Sequence, residues 1–135
     1  MTTVCDKSRV LVVDDDPGVG NAMRHLLLAE GYQVCVADEG GRALARFREW
    51  RPRLVITDLR MAPMDGFELC RHIRAESNVP IIVVSGEDAG QAMIEALDSG
   101  ADDYVEKPFD IDGLLDRVRE QLDETRTRHP IPPAD

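Results

Sequence analysis

Aromatic residues are scarce in this chain: one Trp, two Tyr and three Phe among 135 residues. A core built from it must be aliphatic, drawn from Val, Leu, Ile, Ala and Met. Cysteine is sparse too. Cys5, Cys35 and Cys70 form no CxxC pair and no metal-ligand spacing, and an odd count without a framework fits a reducing compartment. Cys35 and Cys70 read as small hydrophobes in or near the core. Histidine is limited to His25, His72 and His129, none with a ligand-like neighbour in sequence, so zinc has no support. Positive charge is in deficit: 16 Lys plus Arg stand against 26 Asp plus Glu, a net charge of -10. That excludes nucleic-acid binding by a broad basic face of this domain. No apolar run approaches the ~20 residues of a membrane-spanning helix, and no signal-peptide pattern is visible, so no membrane association and a cytoplasmic location are expected. No GxxxxGK[ST] or GxGxxG loop is present, which leaves nucleotide binding without support.

What the chain does have is a repeated alternation of short apolar runs and longer amphipathic stretches. The runs are Arg9–Val13, Tyr32–Ala37, Leu54–Thr57, Ile81–Ser85 and a short fifth at Tyr104 and Val105. Unbroken Val and Ile runs indicate strands covered on both faces. Between them, helical spacing predicts helices over Val19–Glu30, Gly41–Trp50, Phe67–Ala75, Gln91–Ser99 and Ile111–Leu122. In the first, Ala22, Leu26 and Ala29 form a stripe with Met23 and Leu27 beside it; the fourth carries Met93, Ile94 and Leu97. Gly31 and Gly100 stop two of the helices. This is (βα)₅, one α/β domain with a parallel sheet and helices on both faces. Residues 1–6 read as an N-terminal extension, 7–124 as the domain, and the Pro-rich stretch 125–135 as a flexible tail or the start of a linker.

The polar residues fall in a pattern. Asp14 and Asp15 follow the first strand, Asp58 the third and Lys107 the fifth, while Ser85 ends the fourth. In an open α/β sheet all of these lie on the carboxyl edge, where ligands bind. Three converging carboxylates make a hard, oxygen-rich site suited to Mg²⁺. A Lys and a Ser added to a divalent cation describe a site for phosphoryl transfer. One carboxylate would be the nucleophile, forming an aspartyl-phosphate. An Asp after a strand is also a common helix cap or turn former, the role expected of Asp16. All five residues arriving at one edge for unrelated reasons is a far weaker explanation.

The motifs RVLVVDDDP, LVITDLRMAPMDGFEL, IIVVSGEDAG and GADDYVEKPF resemble, in order and spacing, the response-regulator receiver domain of bacterial two-component signalling, the CheY-like superfamily. The resemblance covers about residues 7 to 124. It implies a flavodoxin-like three-layer fold with strand order 2-1-3-4-5. It implies Asp58 as phosphoacceptor, with Mg²⁺ (or Mn²⁺ as substitute) held by Asp14, Asp15, Asp58 and the backbone carbonyl of Arg60. In the family the position of Asp15 usually binds the metal directly and that of Asp14 through water. Ser85 takes the place that senses the phosphoryl group, and Gly86 leaves it room. Tyr104 takes the aromatic switch position, and Lys107 the lysine, joined to Pro108 by a cis bond. The implied partner is a sensor histidine kinase or histidine phosphotransfer protein. The implied output surface is the fourth helix, fifth strand and fifth helix, which could dimerise or meet an output domain or a separate target. The chain would then catalyse its own phosphorylation and dephosphorylation without being a conventional enzyme.

One position departs from the pattern. Proline is usual four residues after the phosphoacceptor, but Ala62 stands there and Pro63 follows; Gly66 is in register. Arg60 and Glu87, two residues beyond Asp58 and Ser85 and opposite in charge, are expected to pair across the site mouth and slow attacking water. The alternative reading is a degenerate receiver acting as a phosphorylation-independent interaction module; the complete set of Asp14, Asp15, Asp58, Ser85 and Lys107 favours the active form. A small flavin-binding electron carrier of the same topology is disfavoured, because three acids follow the first strand where its phosphate loop would lie.

Overall fold

A computed structural model describes residues 9–86 and 89–127. Five strands alternate with five helices: β1 (Arg9–Val13), α1 (Pro17–Ala29), β2 (Gln33–Ala37), α2 (Gly40–Trp50), β3 (Leu54–Thr57), α3 (Gly66–Glu76), β4 (Ile81–Ser85), α4 (Ala89–Asp98), β5 (Asp103–Glu106) and α5 (Ile111–Thr127). All strand pairs are parallel, in the order β2-β1-β3-β4-β5. The flavodoxin-like arrangement expected from the sequence is the one observed.

The alternation of side chains along each strand divides the core into two layers. Leu11, Val13, Val55, Ile81 and Val83 face α2, α3 and α4, meeting Ala43, Leu44, Phe47, Leu69, Cys70 and Ile73. Val10, Val12, Leu54, Ile56, Ile82 and Val84 face α1 and α5, meeting Met23, Leu27, Leu114, Leu115 and Val118. β1, β3 and β4 are buried almost throughout, which is why they read as continuous apolar runs. β2, at one edge, is partly exposed.

Local chemistry fixes where the helices begin. Asp16 caps α1, accepting from the N–H groups of Gly18 at 2.9 Å and Val19 at 3.4 Å, with Pro17 in the first turn. Asp65 caps α3 in a reciprocal box: it accepts from Glu68 N–H, and Glu68 accepts from Asp65 N–H. At the amino edge of the sheet, the Arg9 guanidinium lies 5.9 Å from the centre of the Trp50 ring and donates to the carbonyl of Arg51.

Two helices present faces other than those predicted. In α1 the buried residues are Gly20, Met23 and Leu27, while Ala22 and Ala29 are exposed and Leu26 is half-buried. In α4 the buried residues are Ala92 and Ala96. Met93, Ile94 and Leu97 are 40%, 57% and 44% exposed. In α4 the small residues let the backbone approach the sheet, so the larger apolar residues beside them are turned outward. α5 runs on past Leu122 to Thr127. Among the described residues, no helix is long and apolar enough to cross a membrane.

Candidate functional site

The site is built from residues that stand one place beyond the strands. Asp14, Asp58 and Lys107 are each the first residue after a strand, and each keeps its N–H bonded to the sheet. Asp14 donates to Ala37 O at 3.1 Å, Asp58 to Val13 O at 3.0 Å and Lys107 to Ser85 O at 2.9 Å. Their side chains therefore start from backbone as rigid as the sheet itself. Carboxylate oxygens of Asp14, Asp15 and Asp58 lie within 4.8 Å of one another. Lys107 Nζ sits 3.3 Å from Asp14 Oδ2 and 3.3 Å from Asp58 Oδ2.

Burial differs across the three acids. Asp14 is 5% exposed, Asp58 is half-buried and Asp15 is open to solvent. Burial pushes the Asp14 carboxyl above its ordinary range, and the neighbouring Asp58 charge pushes the same way. The Asp16 N–H, 3.0 Å from Asp14 Oδ1, and the Lys107 ammonium oppose that shift in part. Burial alone would lower the Lys107 value, but the charges of Asp58 and Asp14 outweigh it and hold the ammonium protonated. Three carboxylates against one ammonium leave an excess of negative charge at the rim. The donors are all carboxylate oxygens, with no nitrogen or sulfur ligand, the set that fits a hard divalent cation.

The approach of α3 to Asp58 depends on a glycine. A Cβ on Gly66 would lie 2.2 Å from the carbonyl oxygen of Asp58 and 2.8 Å from the Cα of Leu59. Any side chain there would push α3 away from the acid. Gly66 N–H also donates to Leu59 O at 2.9 Å. The sequence placed Gly66 in register with the family pattern; in the structure it allows this close approach. Thr57, which sequence reasoning passed over, is buried at the end of β3 and bonded to the backbone of Asp58. Its one sequence signal was a hydroxyl at the end of an apolar strand.

The remaining predicted residues distribute as follows. Ser85 is buried at the end of β4, and Gly86 after it is exposed, with Lys107 Cβ the nearest atom to an added Cβ at 4.0 Å. Lys107–Pro108 is cis, as the resemblance implied, and Ala62–Pro63 is cis as well. Arg60 is exposed on the β3–α3 loop. Tyr104 is 8% exposed, turned into the cluster that holds Val83, Ala92 and Ala96. Glu87, the predicted partner of Arg60, lies outside the described residues.

Residues 10–119 match the family model of the response regulator receiver domain. The chain is 42% identical over 116 residues to the DNA-binding response regulator MtrA of Mycolicibacterium smegmatis, covering 86% of this chain and 51% of that protein. It thus spans about half the length of the curated relatives it matches. Among solved structures, the receiver domain of the Francisella response regulator 1452 superposes with a TM-score of 0.83 at 34% identity, over 87% of this chain and 98% of that one. The BeF3-activated N-terminal receiver domain of Klebsiella pneumoniae RstA gives a TM-score of 0.83 at 32% identity, over 85% and 98%.

Proposed function

The chain belongs to the response regulator receiver domain family, and on that premise we propose that it accepts a phosphoryl group from a phosphohistidine onto Asp58. The observation that carries this is the convergence of Asp14, Asp15, Asp58 and Lys107 at one rim, with Ser85 at the end of the adjoining strand. Asp58 is half-buried at the centre of that set. Its carboxylate would form the new O–P bond as the N–P bond breaks, and the imidazole would leave with the electron pair. Lys107, already between Asp14 and Asp58, would follow the incoming oxygens and balance their charge. Ser85, with the open space at Gly86 beside it, would donate its hydroxyl to the phosphoryl group. Mg²⁺ held by Asp14, Asp15, Asp58 and the carbonyl of Arg60 would supply charge neutralisation between the acids and the phosphoryl oxygens.

The partner we assign is a histidine kinase or histidine phosphotransfer domain. An apolar groove between α1 and the β5–α5 loop supports this, lined by Val19, Ala22, Leu26, Lys107, Pro108 and Phe109. A donor seated there would face the carboxylates. The outward apolar residues of α4, together with β5 and α5, are the surface we assign to output, whether as a homodimer, an output domain or a separate target. Tyr104, turned inward beneath α4, links that surface to the site, and phosphorylation would shift the population of states it samples.

The test is intact-mass measurement after incubation with acetyl phosphate, with and without Mg²⁺, on the wild type and Asp58→Asn. One Mg²⁺-dependent phosphoryl adduct, lost in Asp58→Asn, is the expected result. Folded wild-type protein that takes up no phosphoryl group, from acetyl phosphate or from a histidine kinase, would overturn the reading.

A further inference from the structure

One peptide unit in the site is held at both of its polar ends. The Leu59 N–H donates to Asp58 Oδ1 at 2.7 Å, fixing one carboxylate oxygen against the backbone. Asp58 Oδ2, the other oxygen, is the one that faces Lys107. The carbonyl of the same Asp58–Leu59 peptide accepts a hydrogen bond from Thr57 Oγ1 at 2.8 Å. Thr57 is 1% exposed, so water does not compete for that bond. On the remaining side Gly66 closes over the same carbonyl, leaving no room for a Cβ.

We infer that Thr57 is a positioning residue for the phosphoacceptor. It acts through the peptide that follows Asp58, and this rests on the reading of Asp58 given above. The physical route is short. A peptide plane turns as a unit, so fixing its oxygen fixes the direction of its N–H. That N–H sets which way the Asp58 carboxylate is rotated, and so which oxygen is presented to Lys107. A hydrogen bond to a carbonyl also polarises its peptide and strengthens the N–H as a donor. Asp58 lies one residue past the end of β3; its N–H still bonds to Val13 O, while its carbonyl accepts from the Thr57 hydroxyl. A hydroxyl, rather than a methyl, at the last position of β3 is what this arrangement requires.

The test compares Thr57→Val, which keeps the shape and removes the hydroxyl, with Thr57→Ser, which keeps the hydroxyl. Two readouts are taken on each. The first needs no phosphorylation: the amide proton shift and hydrogen-exchange rate of Leu59 by NMR. The second is the rate of phosphorylation by acetyl phosphate at saturating Mg²⁺. In Thr57→Val the Leu59 signal moves upfield and exchanges faster, and phosphorylation slows about five- to tenfold, the scale of one lost buried hydrogen bond. Thr57→Ser retains both wild-type values. If Thr57→Val does not fold, Thr57→Ala takes its place in the same comparison. An unchanged Leu59 signal in the variant lacking the hydroxyl would overturn the inference, as would equal losses in the serine variant. If wild type takes up no phosphoryl group, the functional reading fails, and the Leu59 signal alone decides the role of Thr57.

Discussion

α3 and α4 lie side by side on the same face of the sheet, yet they are held to it by different means. α3 buries Leu69, Cys70 and Ile73 completely and starts from a reciprocal capping box. α4 meets the core through Ala92 and Ala96 and turns Met93, Ile94 and Leu97 to solvent. Its C-terminal end is fastened to α3 instead. Arg71 donates to Ser99 Oγ, and Arg74 donates to the carbonyls of Gly100, Ser77 and Val79 and to Asp102 Oδ2. Gly100, at a φ of +118°, lies so close to Arg74 that a Cβ there would sit 2.9 Å from Arg74 Cβ. α3 is framework, carrying the glycine that closes on Asp58. α4 rests on small residues and is tied to α3 at its C-terminal end.

Four substitutions would break or sharpen that contrast. Leu69→Ala in α3 should cost about 3 kcal/mol of stability by denaturant titration, from lost burial and the cavity left behind; a cost no larger than that of an outward α4 substitution would break the contrast. Arg74→Met should cost about 2 kcal/mol, because it strips the donor from several partly buried carbonyls at once. Amide exchange should then rise at the end of α4 more than in α3.

Asp14→Asn, in metal-free buffer, should raise the denaturation midpoint at neutral pH by less than these losses. The folded-state carboxyl is raised by burial and by Asp58, so the unfolded chain gives up that proton at lower pH than the folded chain. Stability therefore falls as pH rises from the ordinary carboxylate value through the raised one. The gain in Asp14→Asn should be largest above that window and vanish below it. Such a gain would mean that the framework holds the acid in place at its own expense. Ile94→Ser should change stability by no more than about 0.5 kcal/mol, since the side chain is already in water.

The sheet was legible because β1, β3 and β4 are covered on both faces, leaving unbroken runs of Val, Ile and Leu. Asp14 and Asp58 were legible because each stands at the end of such a run, Lys107 because it closes the short fifth strand, and topology carries all three to one edge. The faces of α1 and α4 were less so. Periodicity registers how apolar a side chain is, not how near its backbone comes to the sheet. Ala92 and Ala96 lie deep because they are small, and Ile94 is exposed although it is large. Thr57 was missed for a related reason: its hydroxyl serves a neighbouring carbonyl, and no spacing of side chains encodes that. The close approach of Gly66 to Asp58 likewise exists only once α3 is docked.

The stacking of Arg9 on Trp50 has a practical consequence. Trp50 is the only tryptophan in the chain, and it stands at the amino edge of the sheet, across the molecule from the carboxylates. Its emission should report whether β1 and α2 are folded together, and the chemistry proposed at Asp58 would take place outside its surroundings. A fluorescence trace can therefore follow unfolding in one channel while mass or NMR follows phosphorylation in another, without a label and without altering a residue. The molecule carries its own internal standard.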